Sequence, residues 1–248
     1  MRLMVAALAF SILPSLATAQ DEAANEQQLK EAREHYQKGE DLMIEEDFSG
    51  AATEFRMATR LDPDYTLAYY SLGQANMALA RFDEAATAYE SCRGTIEARS
   101  KLDVQRRGEA RQARADELLD IEAAILRWGG PEAPPNTQTM RLQERKRLLE
   151  QQQDKDAINA VAVPPELSIA LGSAYFRLHR PEDAEREYLA AIAAGDQTGA
   201  AHNNVAVFYM MEGRLDEAKQ SVLAAEEAGF RVDPRFKEDL KKRAAAAQ

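Results

Sequence analysis

Small apolar residues recur along the chain at a fixed spacing of about 34 residues, a length typical of helical repeats. Gly39 precedes Gly73 by this distance, and Gly172 precedes Ala206 by the same distance. Further small or aromatic pairs share the spacing: Ala51 and Ala85, Phe55 and Tyr89, Tyr175 and Tyr209, Ala184 and Ala218, Ala191 and Ala225. This period predicts stacked pairs of antiparallel helices, because two helices of about a dozen residues and their turns fill about 34 residues.

The small residues mark places where the two helices of a pair must approach closely. A side chain larger than a methyl group at Gly39 or Gly172 would hold the first helix away from the second. We expect Phe55, Tyr89 and Tyr188 to fill the space between one helix pair and the next.

Where the period fails, the pattern predicts a different structure. Thr95–Trp128 contains no proline and is expected to form one long helix, and Thr137–Gln153 a second, so that the two make a charged hairpin. The distance from Gly73 to Gly172 is close to three periods. Two degenerate helix pairs therefore remain the alternative, and a hairpin could either project or fold back.

These observations divide the chain into five segments. The predicted segments are a signal peptide at 1–19, two helix pairs at 30–98, the hairpin at 99–163, two more pairs at 164–232 and a capping helix at 233–248.

The repeated residues resemble the tetratricopeptide repeat family, whose signature includes a Trp, a Leu-Gly pair, a Tyr and a closing Pro. The matching residues are Leu72-Gly73, Leu171-Gly172, Tyr175, Tyr209 and Asp62-Pro63. The place of the Trp is taken by His35, Tyr69, Ser168 and His202. The resemblance implies tetratricopeptide repeat units of the exported bacterial type. Together with the hairpin and the cap, the sequence predicts an all-α protein in which two pairs of these units are interrupted by the hairpin and followed by the capping helix.

The N-terminus is typical of a cleaved signal peptide. Arg2 is followed by an apolar run, Leu3–Leu13, and by the small residues Ala17-Thr18-Ala19. We expect cleavage after Ala19 and a periplasmic or secreted protein that is not inserted in a membrane. An uncleaved anchor is the alternative.

The net charge of the chain, and its distribution, limit the kinds of partner that the sequence predicts. The formal net charge of −11 argues against general nucleic-acid binding, which needs a basic surface. Residues 20–92 hold 6 basic and 16 acidic residues, whereas residues 93–147 hold 12 basic and 9 acidic ones. The hairpin is therefore either a docking arm for an acidic partner or a charged surface that only faces water.

No catalytic or metal-binding motif is recognisable in the sequence. His35 and His202 occupy the large packing position of the repeat, and Cys92, the only cysteine, follows Ala58 by one period. A buried packing role is expected for Cys92. We therefore expect no enzyme activity, no cofactor and no metal.

The family resemblance implies a partner site on the concave face of the first helices. That face lies three residues before, one after and four after the small residue of each unit. The candidate partner-binding residues are Tyr36, Glu40, Met43, Tyr70, Gln74, Met77, Ile169, Ser173, Phe176, Asn203, Val207 and Met210.

These candidates are mostly apolar, with several methionines and a few amides, which suits an extended or helical segment with hydrophobic anchors. The resulting hypothesis is a non-catalytic protein–protein scaffold, an adaptor or assembly factor. The alternative is a structural homo-oligomer assembled through the hairpin.

Overall fold

The computed structural model describes residues 16–127, 137–153, 162–195 and 198–246. Within these ranges the backbone forms ten helices and no strand, which confirms the all-α prediction. The helices are α1 Leu16–Ile44, α2 Phe48–Leu61, α3 Thr66–Ala78, α4 Phe82–Arg127, α5 Thr137–Gln153, α6 Pro165–Arg177, α7 Pro181–Ala194, α8 Thr198–Met211, α9 Leu215–Glu227 and α10 Pro234–Ala246. The predicted signal peptide lies almost wholly outside the described residues.

The chain divides into two compact units, residues 1–88 and 89–248, and the division falls inside α4. The first unit contains α1, α2, α3 and the start of α4. The second contains the rest of α4 and α5 to α10. Within the described ranges, no helix combines the length and apolar character that a membrane span requires.

In the first unit, α1 and α2 pack against one another at Gly39. A Cβ atom on Gly39 would lie 2.6 Å from Cε1 of Phe55, so the ring occupies the space that any side chain would need. Phe55 is fully buried and also clusters with Leu72 and Ala75 of α3. The predicted close approach at Gly39 is confirmed. The Phe55 ring fills the space between α1 and α2 and also packs against α3, the first helix of the next pair.

The second unit repeats this arrangement at Gly172. A Cβ atom there would lie 2.8 Å from Cδ1 of Tyr188, a residue of α7. The Tyr188 ring lies 6.2 Å from the ring of Phe208 on α8, measured between centroids. The same contact, between a glycine on the first helix of a pair and an aromatic ring on the second, therefore occurs in both units of the chain.

The turn inside each helix pair has the same geometry throughout the array. One residue of the turn has a positive φ, and its N–H donates to the carbonyl three residues back. The N–H of the following residue donates to the carbonyl five residues back, which is the Schellman arrangement that ends a helix. The residues with positive φ are Glu46 (61°), Ala80 (57°), His179 (56°) and Gly213 (76°).

Helix α4 differs from the expected boundary of the hairpin. The sequence predicts a separate long helix from Thr95, but the structure continues the second helix of the second repeat without a break from Phe82 to Arg127. Gly94 does not end it, because an isolated glycine inside a helix costs only about 1 kcal/mol. Trp128, the predicted end, lies outside the described residues.

The hairpin itself is confirmed by the contacts of α5. Ile121 and Ile125 of α4 form a small buried cluster with Leu149 of α5. Two ion pairs flank it: Arg145 Nε lies 2.8 Å from Glu117 Oε1, and Lys146 Nζ lies 2.6 Å from Glu122 Oε1. The described residues between 99 and 163 thus form two helices rather than the four that two further repeats need. The predicted segment boundaries as a whole stay a prediction.

Polar contacts join α4 to the third repeat within the second unit. Arg93 forms a two-bond ion pair with Glu187 of α7, whose side chain is buried. The hydroxyl of Tyr175 donates to Glu90 Oε1 at 2.5 Å, and burial followed by this bond raises the pKa of Tyr175 to about 12. The Tyr175 hydroxyl therefore remains protonated at neutral pH and can donate this bond.

Candidate functional site

A cavity of about 600 Å³ lies between α1 and α3 in the first unit. Gln37, Glu40, Asp41 and Ile44 line it from α1, at a spacing that puts four side chains on one broad face of a helix. Ser71 and Gln74 line it from α3. Phe55 of α2, which is fully buried, and Met43 of α1, which is half-buried, complete the lining.

Tyr36 supports this cavity without lining it. Its ring lies 5.6 Å from the Phe55 ring and 5.0 Å from the Tyr65 ring, measured between centroids. Its hydroxyl donates to Glu40 Oε1 at 2.9 Å. Burial is the largest cause of the raised pKa of Tyr36, so the hydroxyl remains a donor. The bond fixes one carboxylate at the edge of the cavity.

The basic residue nearest to the cavity in sequence is engaged elsewhere. Lys38 pairs with Glu54 of α2, and His35 Nδ1 lies 2.6 Å from the same carboxylate. The hydrogen bond from Lys38, and then that from His35, lowers the pKa of Glu54 below its ordinary value. Among the residues that the structure describes, the lining of the cavity contains two carboxylates and no lysine or arginine.

The corresponding face of the second unit lies on α6 and α8. Ile169, Ser173 and Phe176 of α6 are half-buried, as are Asn203 and Val207 of α8. The face is uncharged at these positions and offers a branched alkyl group, an aromatic ring and an amide.

Two of these side chains are held by their neighbours. Phe176 packs edge-on against Phe208, with 5.9 Å between ring centroids. The hydroxyl of Ser173 donates to the Ile169 carbonyl at 2.8 Å and accepts from the Tyr188 hydroxyl at 3.2 Å. Both side chains are thus held in place by contacts within the second unit.

The predicted site residues divide into three groups. Glu40, Met43 and Gln74 line the first cavity, while Tyr36 of α1 and Tyr70 and Met77 of α3 are half-buried outside its lining. The second-unit residues keep partly exposed surfaces except Met210, which is only 8% exposed. Met210 lies at the closely packed end of α8, where its carbonyl accepts from the turn at Gly213.

Sequence reasoning missed Gln37, Asp41, Ile44 and Ser71, although they line the same cavity. The predicted positions, three before, one after and four after the glycine, form one row of side chains along the helix. The cavity is also lined by the adjacent row. The spacing of Gln37, Asp41 and Ile44 at four and three residues could have indicated that row.

A second cavity, of about 480 Å³, lies between α9 and α10. Val222, Leu223 and Leu240 form the apolar part of its lining, and lysine side chains also line it. Two of these are paired with acids, since Lys219 Nζ lies 2.9 Å from Asp216 Oδ1 and Lys237 Nζ lies 2.6 Å from Glu226 Oε1. In the described part of the chain, His, Cys, Asp and Glu side chains form no group of three that could hold a metal ion.

The fold and its repeated turns define an array of helix pairs, and comparison with known families agrees. The tetratricopeptide repeat model matches residues 29–93 and 169–230, just over half of the chain. The chain belongs to the tetratricopeptide repeat family. The two matched ranges lie on either side of the hairpin.

No curated protein matches the chain. Among solved structures, a thermophilic tetratricopeptide repeat protein of Thermus thermophilus is 20% identical, with 87% of this chain and 98% of that chain covered and a TM-score of 0.33. YrrB, a tetratricopeptide repeat protein with an unusual peptide-binding site, is 14% identical, with coverages of 91% and 97% and a TM-score of 0.29. PilF of Pseudomonas aeruginosa is 14% identical, with coverages of 89% and 90% and a TM-score of 0.34.

Proposed function

We propose that this protein is a non-catalytic scaffold that binds a segment of another protein on the faces of its first helices. The tetratricopeptide fold suggests a protein–protein interaction scaffold. The observation that carries the finer proposal is the cavity between α1 and α3. Its volume of about 600 Å³ and its lining of amides, carboxylates and apolar side chains leave room for side chains of a bound segment.

The chemistry of the two faces suits a peptide rather than a reacting substrate. Amides at Gln37 and Gln74 can bond to the backbone of an extended segment, and Met43 offers an adaptable apolar contact. Ile169 and Phe176 would take apolar side chains in the second unit. The sequence also contains no recognisable catalytic motif. We therefore propose an adaptor or assembly factor without enzyme activity.

We further propose that the protein acts outside the cytoplasm, in the periplasm or as a secreted protein. The support is the sequence of Met1–Ala19, with its apolar run and small residues before the expected cleavage site. Mass spectrometry of the native protein tests this. A mature chain that begins at Gln20 is expected, and a cytoplasmic chain that retains Met1 would contradict the proposal.

Site-specific photocrosslinking in the native compartment tests the binding proposal. A photoreactive residue at Met43 or Phe176 should give an adduct with another protein, whereas one at Thr53, exposed on α2, should give none. Gln74→Trp, which fills the cavity from α3 without changing its charge, should weaken the adduct at Met43. Adducts only with the same chain, or equally from Thr53, would contradict the proposal.

A second candidate function is self-assembly through the hairpin. Leu119 and Leu126 lie seven residues apart on one side of α4 and are 64% and 68% exposed, and this is the spacing at which helices pack in coiled coils. Light scattering of the purified protein distinguishes the two functions. A stable oligomer that Leu126→Glu dissociates would favour self-assembly, and a monomer would exclude it.

A further inference from the structure

The cavity between α1 and α3 attracts positive charge. Glu40 and Asp41 are both exposed, and the remaining polar groups of the lining, on Gln37, Ser71 and Gln74, are uncharged. Two carboxylates beside a concave surface focus the potential and favour a cation at that place.

Neither carboxylate is neutralised within the described part of the first unit. Glu40 accepts a hydrogen bond from the neutral Tyr36 hydroxyl, and Lys38 is turned to Glu54 instead. The basic residue closest on the same side of α1 is Arg33, one turn before Gln37 and outside the cavity lining. A basic ligand would therefore meet two carboxylates that no described basic side chain of the first unit pairs with.

An apolar surface lies directly beside these charges. Ile44 is 81% exposed one turn after Glu40, and Met43 is half-buried next to it. Below them the Phe55 ring closes the cavity. A segment that brings a cation to Glu40 and Asp41 can therefore cover Ile44 with the side chain of a nearby apolar residue.

We infer that this cavity selects a partner segment in which a lysine or arginine lies within one turn of a large apolar residue. The inference rests on the proposed function, because it names the class of segment that the first unit takes. The excess of acidic residues in 20–92, 16 against 6 basic ones, adds a longer-range attraction for the same class. The α6–α8 face shows no charge at Ile169, Ser173 or Phe176, so this preference belongs to the first unit.

A selection from random twelve-residue peptides displayed on phage, against the full protein, tests the inference. The enriched peptides are expected to share a lysine or arginine near Leu, Ile, Phe or Met. The best peptide is then synthesised with a fluorophore, together with a version whose basic residues are replaced by norleucine. The replacement should weaken binding about tenfold, and raised salt should weaken only the basic peptide.

Variants of the protein assign the effect to the cavity. Glu40→Gln with Asp41→Asn should weaken the basic peptide about tenfold and leave its norleucine version unchanged. The matched control is Glu26→Gln with Glu31→Gln, which removes two exposed charges from the same helix away from the cavity. Glu40→Lys with Asp41→Lys should reverse the preference toward peptides with acidic residues. Circular dichroism melts confirm that each variant is folded.

The outcomes separate the inference from the proposed function. Two results would overturn the inference alone. In one, the peptides that bind and crosslink at Met43 carry no basic residue. In the other, the affinity of the basic peptide is unchanged by the substitutions at Glu40 and Asp41. Failure of any peptide to bind would overturn both. A concentration-dependent mass that disappears with the Glu40 and Asp41 changes would mean that a second copy is the occupant, and would also overturn the inference.

Discussion

The repeat helices and the hairpin are both α-helical, but different interactions hold them together. In the repeats, glycine and alanine let helices approach until rings such as Phe55 and Tyr188 lie directly on a glycine. In the hairpin, only a short apolar cluster around Ile125 joins α4 to α5, with ion pairs on either side. The 34-residue period is therefore a sign of helices that pack closely on glycine and alanine. In the hairpin, where the period is absent, a short apolar cluster and ion pairs join the helices instead.

Removing a buried ring should show the largest difference between the two regions. Phe55→Ala should lower the free energy of unfolding of the first unit by about 4 kcal/mol, because the ring is fully buried against Gly39. Ile125→Ala should cost about 2 kcal/mol, because its short cluster can relax into solvent. Hydrogen exchange of α1–α2 and of α5 measures the two losses separately. Equal losses would contradict the comparison.

Glycines in the two regions should respond with opposite signs. Gly172→Ala should lower stability by about 2 kcal/mol, because the new Cβ would meet the Tyr188 ring at 2.8 Å. Gly108→Ala in α4 should raise helix stability by about 1 kcal/mol, since nothing lies within 4 Å of the new Cβ. Urea denaturation monitored by circular dichroism measures both. A stabilising Gly172→Ala would show that the close approach is not required.

These contrasts explain how much the sequence could predict. The helix pairs followed from Gly39 and Gly172, because close approach leaves a fixed signal at a fixed spacing. The continuity of α4 did not follow, because neither Gly94 nor the charged residues after it signal an end or a continuation. In the cavity, Glu40, Met43 and Gln74 were predicted. Asp41 was not, because it lies two residues after Gly39, in the adjacent row of side chains that the chosen offsets left out.

The turns of the repeats offer a smaller, paired test. His179 and Gly213 occupy the same place in successive repeats, and both have a positive φ. His179→Gly should stabilise the third repeat by about 1 kcal/mol, because glycine adopts this conformation without steric cost. Gly213→Ala should destabilise the fourth by a similar amount through the backbone alone, since no atom lies within 4 Å of its new Cβ. Thermal melts of both variants and of the combined one test the pairing, and changes of the same sign would contradict it.

The smallest expected effect concerns the ion pairs of the hairpin. The hydrogen bond from Arg145 holds the pKa of Glu117 below its ordinary value, so the pair stabilises the hairpin above the ordinary pKa. This contribution is lost as the pH falls from there through the lowered pKa of the folded state. Both side chains are exposed, so the loss should be slight and screened by salt.

Fluorophores on cysteines placed at Gln112 and Gln151, in a Cys92→Ala background, should report a slightly larger separation as the pH falls below about 4. Glu117→Gln should remove that response while leaving the separation at neutral pH nearly unchanged, because the Ile125 cluster remains. If Glu117→Gln responded to acid like the unchanged hairpin, the pH dependence would belong to other carboxylates on α4 and α5.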